Sequence, residues 1–188
     1  MKQYFIFLFL LLFQQSIAAQ KKNQNLYVEI LGASNTIGIN YDSHIKGNDG
    51  LGFRIGLGYG YANDKKFFGE KSTVKGIGIP TELNYLLGNK NHKFEMGVGV
   101  NVGVYRINEE VSSNSIFQIL DSNLDSYDTR KDKRTQFGYF IFGDLGYRYQ
   151  PLNGFLFRVG ISPSFNFGDK YGIKKSFFYP YIGLGWGF

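Results

Sequence analysis

The chain has 188 residues and a formal net charge of +6, enough length for one domain with a substantial core. It has no cysteine, which excludes a disulfide framework, a thiol nucleophile and a thiolate metal site. A mean hydropathy of −0.21 excludes a bundle of membrane helices, whereas 25 glycines, 19 phenylalanines and 14 tyrosines against 4 prolines favour closely approaching strands.

Residues 1–19 read as a signal peptide. Lys2 supplies a charged start, and Tyr4–Phe13 forms an apolar run too short to span a bilayer as a helix. Gln14 and Gln15 end that run, and Ser16-Ile17-Ala18-Ala19 offers small residues for cleavage after Ala18 or Ala19. Residues 20–188 are then one exported domain. Removing the segment takes away only Lys2, so the charge falls from +6 to +5. Such a balance fits a solvated basic surface, or loops resting against anionic lipid headgroups. No stretch interleaves basic and aromatic residues as a nucleic-acid platform does, so no nucleic-acid partner is expected.

Beyond the leader the apolar residues alternate. Eight segments carry the pattern: 26–33, 37–44, 51–61, 77–87, 93–106, 136–150, 155–167 and 177–188. In the third, Leu51, Phe53, Ile55, Leu57, Tyr59 and Tyr61 share one face, and Gly52, Arg54, Gly56, Gly58 and Gly60 the other. In the fifth, Phe94, Met96, Val98, Val100, Val102 and Val104 oppose Glu95, Gly97, Gly99, Asn101, Gly103 and Tyr105. In the last, Pro180, Ile182, Leu184, Trp186 and Phe188 oppose Tyr181, Gly183, Gly185 and Gly187. Most segments reach the roughly 9–11 residues that a tilted strand needs to cross a bilayer.

The connections alternate too. Turn-forming tetrads at 47–50, 88–91 and 151–154 join segments two to three, four to five and six to seven. A tight link near Ser34-Asn35 and longer stretches at 62–76, 107–135 and 168–176 make the others. Short turns at one end and long loops at the other predict an all-β, eight-stranded, antiparallel up-and-down transmembrane barrel. A soluble barrel is the alternative, greasy within and polar without. Here the second face is mostly glycine, which suits a narrow lumen better than a solvated exterior. Tyr59, Tyr61, Tyr85, Tyr147, Tyr149 and Trp186 near the ends of the apolar face read as aromatic girdles.

That assignment sends Glu29, Asp42, Arg54, Glu82, Glu95, Asp144, Arg148 and Arg158 into the lumen. Three guanidinium groups among five carboxylates read as a salt-bridged plug, with a gated polar path as the sharper alternative. An eight-stranded barrel is generally too narrow for an aqueous channel.

An exported chain of alternating strands closing on GLGWGF resembles the small outer-membrane barrels of the OmpA/OmpX type. The stretches IPTELNYLLG, NHKFEMGVGV, GYRYQP and LFRVGISP are similar to small outer-membrane barrel proteins of Bacteroidota, over most of the mature chain. The resemblance implies the outer membrane of a Gram-negative bacterium, contact with outer-membrane lipid and lipopolysaccharide, and a role in the cell envelope. It also implies that the Ile182, Leu184, Trp186 and Phe188 face is read by the outer-membrane assembly machinery. It carries over no catalytic motif.

The residues offer little chemistry. Asp42, Ser43 and His44 adjoin, but neighbours on a strand point to opposite faces, so Ser43 and His44 do not make a nucleophile–base pair. His92 reads as a turn residue. Two separated histidines make no metal site, and Asp121–Asp125 lacks the glycine and glutamate of a calcium loop, with Ser126 at the sixth position and Asp132 at the twelfth. No enzyme, metal or cofactor is expected. The stretch 107–135, ending in Arg130, Lys131, Lys133 and Arg134, reads as a surface-recognition loop for an extracellular partner or for lipopolysaccharide phosphates. The leading expectation is a non-enzymatic outer-membrane barrel with a structural or surface-interaction role. A narrow conduit for small or hydrophobic molecules is the alternative, ahead of a lipid-modifying hydrolase and a soluble secreted barrel.

Overall fold

A computed structural model of the chain describes residues 24–47, 49–65, 71–112, 129–165 and 176–188. The expected signal peptide and the centres of the three longer connections lie outside the described residues. The strands are β1 (Gln24–Leu31), β2 (Ile37–Lys46), β3 (Asp49–Lys65), β4 (Lys71–Asn89), β5 (His92–Ser112), β6 (Thr129–Tyr149), β7 (Gly154–Phe165) and β8 (Ser176–Gly187). Each pairs antiparallel with the next, and β8 pairs with β1, so the sheet closes as the expected eight-stranded up-and-down barrel. At the seam Gln24 N–H donates to the Phe188 carbonyl (3.2 Å) and Phe188 N–H to that of Gln24 (2.9 Å).

Alternation decides the faces. Apolar side chains stand outward on all eight strands, with Leu57 at 58 %, Val98 at 60 % and Trp186 at 60 % exposure. On β5 the outward apolar run extends from Phe94 to Val104. Ten rises of about 3.4 Å, tilted by about 40°, give a belt about 26 Å tall. That matches the roughly 25 Å apolar band of barrels that cross a bilayer.

One end of the barrel has tight turns. Gly47 (φ +66°) and Gly50 (φ +74°) take the left-handed backbone that glycine adopts without penalty, and Lys90-Asn91 alone link β4 to β5. Gln150 N–H ties the third short connection to the Asn91 carbonyl (2.7 Å). Two prolines interrupt ladders. The β3–β4 pairing passes from Ile55↔Thr81 to Gly58↔Gly78 across Pro80, and the β6–β7 pairing from Phe142↔Ser164 to Leu145↔Ile161 across Pro163. Each ring removes an N–H that the ladder would use.

The other end departs from the expected bounds. β3 continues to Lys65, β4 begins at Lys71, β5 runs to Ser112 and β6 begins at Thr129. Arg130, Lys131, Lys133 and Arg134 therefore lie on β6 and not in a loop; only 113–128 of that stretch remains undescribed. β1 keeps its expected length of 8 residues but lies two residues earlier, starting at Gln24. It ends at Leu31, and Gly32–Ser34 form a 3-10 turn instead of continuing the strand. The β2–β3 ladder stops at Ile37↔Tyr59 and the β6–β7 ladder at Ile141↔Phe165, while β4–β5 and β5–β6 pair onward to Lys71↔Glu110 and Ser112↔Thr129. Among the described residues the result is a four-stranded wall, β3–β6, rising above a lower β7–β8–β1–β2 rim.

Candidate functional site

Strand parity brings the eight expected lumen residues to the inner wall. Glu29, Asp42, Glu95, Asp144, Arg148 and Arg158 have no exposed surface; Arg54 and Glu82 retain a few per cent. They form one linked network. Arg54 lies opposite both Asp42 on β2 and Glu82 on β4. Its Nη1 donates to Glu82 Oε2 (3.0 Å) and Asp144 Oδ2 (2.9 Å), its Nη2 to Glu29, and its Nε to Asn40 Oδ1 (3.0 Å).

Arg148 and Arg158 face each other across β6 and β7, an arrangement that like charges disfavour. Glu95 resolves it. Its carboxylate accepts Arg158 Nε (2.8 Å) and Nη2 (2.9 Å) as a fork, and Arg148 Nη1 (3.0 Å). Arg148 Nη2 also stands 2.5 Å from Asp42 Oδ2, whose other oxygen accepts Asn25 Nδ2 (2.8 Å). Arg158 Nη1 reaches across β8 to Glu29 Oε2 (2.9 Å) on β1. Ser162 Oγ donates to Asp144.

Several residues of this centre carried no signal of their own in the sequence. Tyr27 OH accepts from Arg158 Nη1, and its ring lies 4.7 Å from the Arg158 guanidinium and 5.8 Å from that of Arg54. Tyr181 offers a second ring to Arg158 at 5.0 Å. These are cation–π contacts in a desolvated site, where they count most. Parity identified their faces, but only the fold shows which guanidinium they meet.

Inner-wall glycines make the room. Gly183 lies opposite both Glu29 and Arg158, so no β8 side chain stands between the two. A Cβ at Gly97 would collide with Glu82 Oε1, and one at Gly56 with Asn40 Oδ1, the acceptor of Arg54 Nε. Large charged side chains thus occupy space that neighbouring residues leave empty.

Above the ions the Gly32–Ser34 turn folds into the barrel. Ala33 packs with Phe140 and Phe142, and its carbonyl accepts Asn101 Nδ2 (2.7 Å). Ser34 Oγ donates to Glu29 Oε1 (2.9 Å), joining the turn to the network. Asn35 Nδ2 donates to Tyr105 OH (3.3 Å). Cβ atoms at Gly38 or Gly58 would strike Ser34, so the wall is shaped to receive the turn.

His44 is buried, and neither ring nitrogen has a hydrogen-bond partner, so no Ser43–His44 hydrogen bond is present. His92 Nδ1 lies 2.6 Å from Tyr147 OH at the short-turn rim. Lys93, also buried, pairs with Asp49 there. Among the described residues no three His, Cys, Asp or Glu side chains are grouped to hold a metal ion. The four expected barrel-signal residues, Ile182, Leu184, Trp186 and Phe188, stand outward on and just beyond β8. Of the four expected loop residues, Lys133 is exposed on β6.

No protein-family model matches the chain, and no curated protein matches it in sequence. Among solved structures, it is similar to the N-terminal β-barrel domain of Pseudomonas aeruginosa OprF, at 13 % identity and TM-score 0.49, over 90 % of this chain and 98 % of that one. It is also similar to Ail, the attachment invasion locus protein of Yersinia pestis, at 10 % identity and TM-score 0.46, over 89 % of this chain and 97 % of that one. Likeness this distant assigns neither ligand nor activity, so function rests on the chain's own residues.

Proposed function

We propose that the chain is an integral outer-membrane barrel, non-enzymatic, whose lumen is a fixed ionic plug and whose working surface is the β3–β6 wall. The observation that carries the membrane reading is the outward belt, about 26 Å tall, with ionised groups confined to its interior. A soluble protein rarely leaves so large a contiguous apolar surface in water. The expected signal peptide and the resemblance of the closing strand support the outer membrane of a Gram-negative bacterium as its location.

The plug reading draws on the network itself. Arg54, Arg148 and Arg158 are each buried and held by at least two carboxylates, and the Gly32–Ser34 turn packs into the lumen above. Opening a path would strand charges in a narrow, low-dielectric tube. What remains for function is the surface beyond the belt, where an extracellular partner or the outer leaflet itself can meet the wall.

Trp186 is the chain's only tryptophan and stands outward in the belt, so it reports directly on this placement. In phosphatidylcholine vesicles its emission should shift to the blue and be quenched by lipids brominated on the acyl chain. Emission accessible to aqueous acrylamide instead would overturn the membrane reading. In planar bilayers the wild type should give background current. A steady single-channel conductance would replace the plug by the conduit.

A further inference from the structure

The boundary of the apolar belt is drawn at one level across four strands. Tyr59↔Ile77, Ile77↔Val104 and Val104↔Phe137 form the last apolar row, from β3 to β6. The next outward row, two residues higher on each strand, is Tyr61↔Lys75, Lys75↔Arg106 and Arg106↔Thr135. The row above it includes Thr73↔Asn108 and Asn108↔Lys133. Lys75, Arg106 and Lys133 are all exposed. Asp132, one residue from Lys133, falls on the opposite face.

Two features of this arrangement ask for an anion. Lys75 and Arg106 are direct cross-strand partners, and like charges in that position destabilise a sheet unless something between them is negative. Lys75 Nζ is also held over the Tyr61 ring, 5.5 Å from its centroid, at the rim where aromatic girdles meet headgroups. The three cations sit immediately above the belt and share its outward face, so whatever they bind lies at headgroup height beside the barrel.

We propose that the outward face of the β3–β6 wall, centred on Lys75, Arg106 and Lys133, is a docking surface for phosphate-bearing headgroups of outer-leaflet lipid. This inference rests on the membrane placement proposed above and adds its partner chemistry. Arg106 supplies a fork suited to a phosphate, and Lys75 and Lys133 supply point charges on either side of it. An anion between Lys75 and Arg106 relieves their repulsion, so the bare wall is less comfortable than the loaded one.

The test uses the full mature chain folded in neutral detergent and titrated with phosphatidic acid, phosphatidylcholine or inorganic phosphate, with bound lipid counted by native mass spectrometry. Phosphatidic acid should bind at least about tenfold more tightly than phosphatidylcholine, and the preference should weaken with salt. The triple variant Lys75→Gln, Arg106→Gln, Lys133→Gln should lose about tenfold to a hundredfold of that affinity. Lys90→Gln, on a turn at the other end of the barrel, should lose none. Heat-dependent gel migration checks that each variant is folded.

Equal binding by wild type and triple variant overturns the proposal. Complete displacement of the lipid by equimolar inorganic phosphate also overturns it, since the site would then serve a free anion. A chain that never enters vesicles defeats the membrane reading together with this one. A chain that enters them but shows no headgroup preference defeats this inference alone.

Discussion

Replacing Arg158 with methionine weighs the lumen network most directly. The guanidinium donates to Glu95 twice (2.8 and 2.9 Å) and to Glu29 once (2.9 Å), and it stands 3.6 Å from Asp144. Methionine keeps much of the stem's bulk between Tyr27 and Tyr181 but brings no charge. Five carboxylates would then share two arginines in a site without exposed surface. Breaking a buried pair from one side costs about 3–5 kcal/mol, because the carboxylates left behind have no water to turn to. Glu95→Gln alone should also destabilise, since Arg148 and Arg158 would confront each other in register without their bridging anion. In the double variant both losses overlap, so the sum of the single effects should exceed the measured one by about 1–3 kcal/mol. Equilibrium urea unfolding in phosphatidylcholine vesicles, followed through Trp186 emission, measures all three. A cost below about 1 kcal/mol for Arg158→Met, or strict additivity in the double variant, would mean that solvent and not the ion pairs supports these groups.

Two further predictions concern glycine and the chain end. Gly56→Ala should cost about 1–3 kcal/mol in the same unfolding assay, because its Cβ drives Asn40 from Arg54 Nε, whereas Gly183→Ala, with its nearest neighbours at 3.4 Å, should change stability by less than about 1 kcal/mol. Equal effects at the two positions would refute the steric account of the inner wall. Phe188→Ser should lower the amount of barrel assembled in cells while shifting the unfolding midpoint by no more than about 1 kcal/mol, because the backbone of Phe188 and not its ring closes the seam with Gln24. Unchanged membrane levels would remove Phe188 from the proposed assembly signal.

The sequence and the structure agree wherever a hydrophobic contrast existed. Leu51–Tyr61 and Phe94–Tyr105 alternate a bulky apolar residue with glycine or a charge, and that contrast fixed both the strand and its faces. The same parity brought the eight lumen charges to one side. The contrast vanishes above the belt. From Thr129 to Arg134 both faces of β6 are polar, so period-two alternation has nothing to show, and a strand reads as a loop. The tight link near Ser34-Asn35 is legible in the sequence, but the inward fold of the Gly32–Ser34 turn is not, for another reason. Ala33 looks like one more apolar strand residue, and only its contacts with Phe140, Phe142 and Asn101, distant in sequence, turn it inward. Pairing within the network is equally non-local. Parity sends Arg158 and Glu29 inside, but the stagger of the closed sheet decides that they meet across β8.

That meeting bears on why β8 is built as it is. The seam between β1 and β8 joins the two ends of the described chain, and β1 has only 8 residues with which to hold it. Ladder hydrogen bonds between two short edge strands are a weak closure on their own. Arg158 on β7 adds a link that the ladder lacks, passing over Gly183 to Glu29 and Tyr27 on β1. A side chain much larger than alanine on the inward face of β8 at that level would stand between the guanidinium and its carboxylate. Gly185, where a Cβ would strike the Leu26 carbonyl and Tyr27, belongs to the seam as much as the ion pair does, while Leu184 and Trp186 on either side of it give the same strand its apolar outer face. One alternating dozen of residues both closes the barrel from within and gives it an apolar face without.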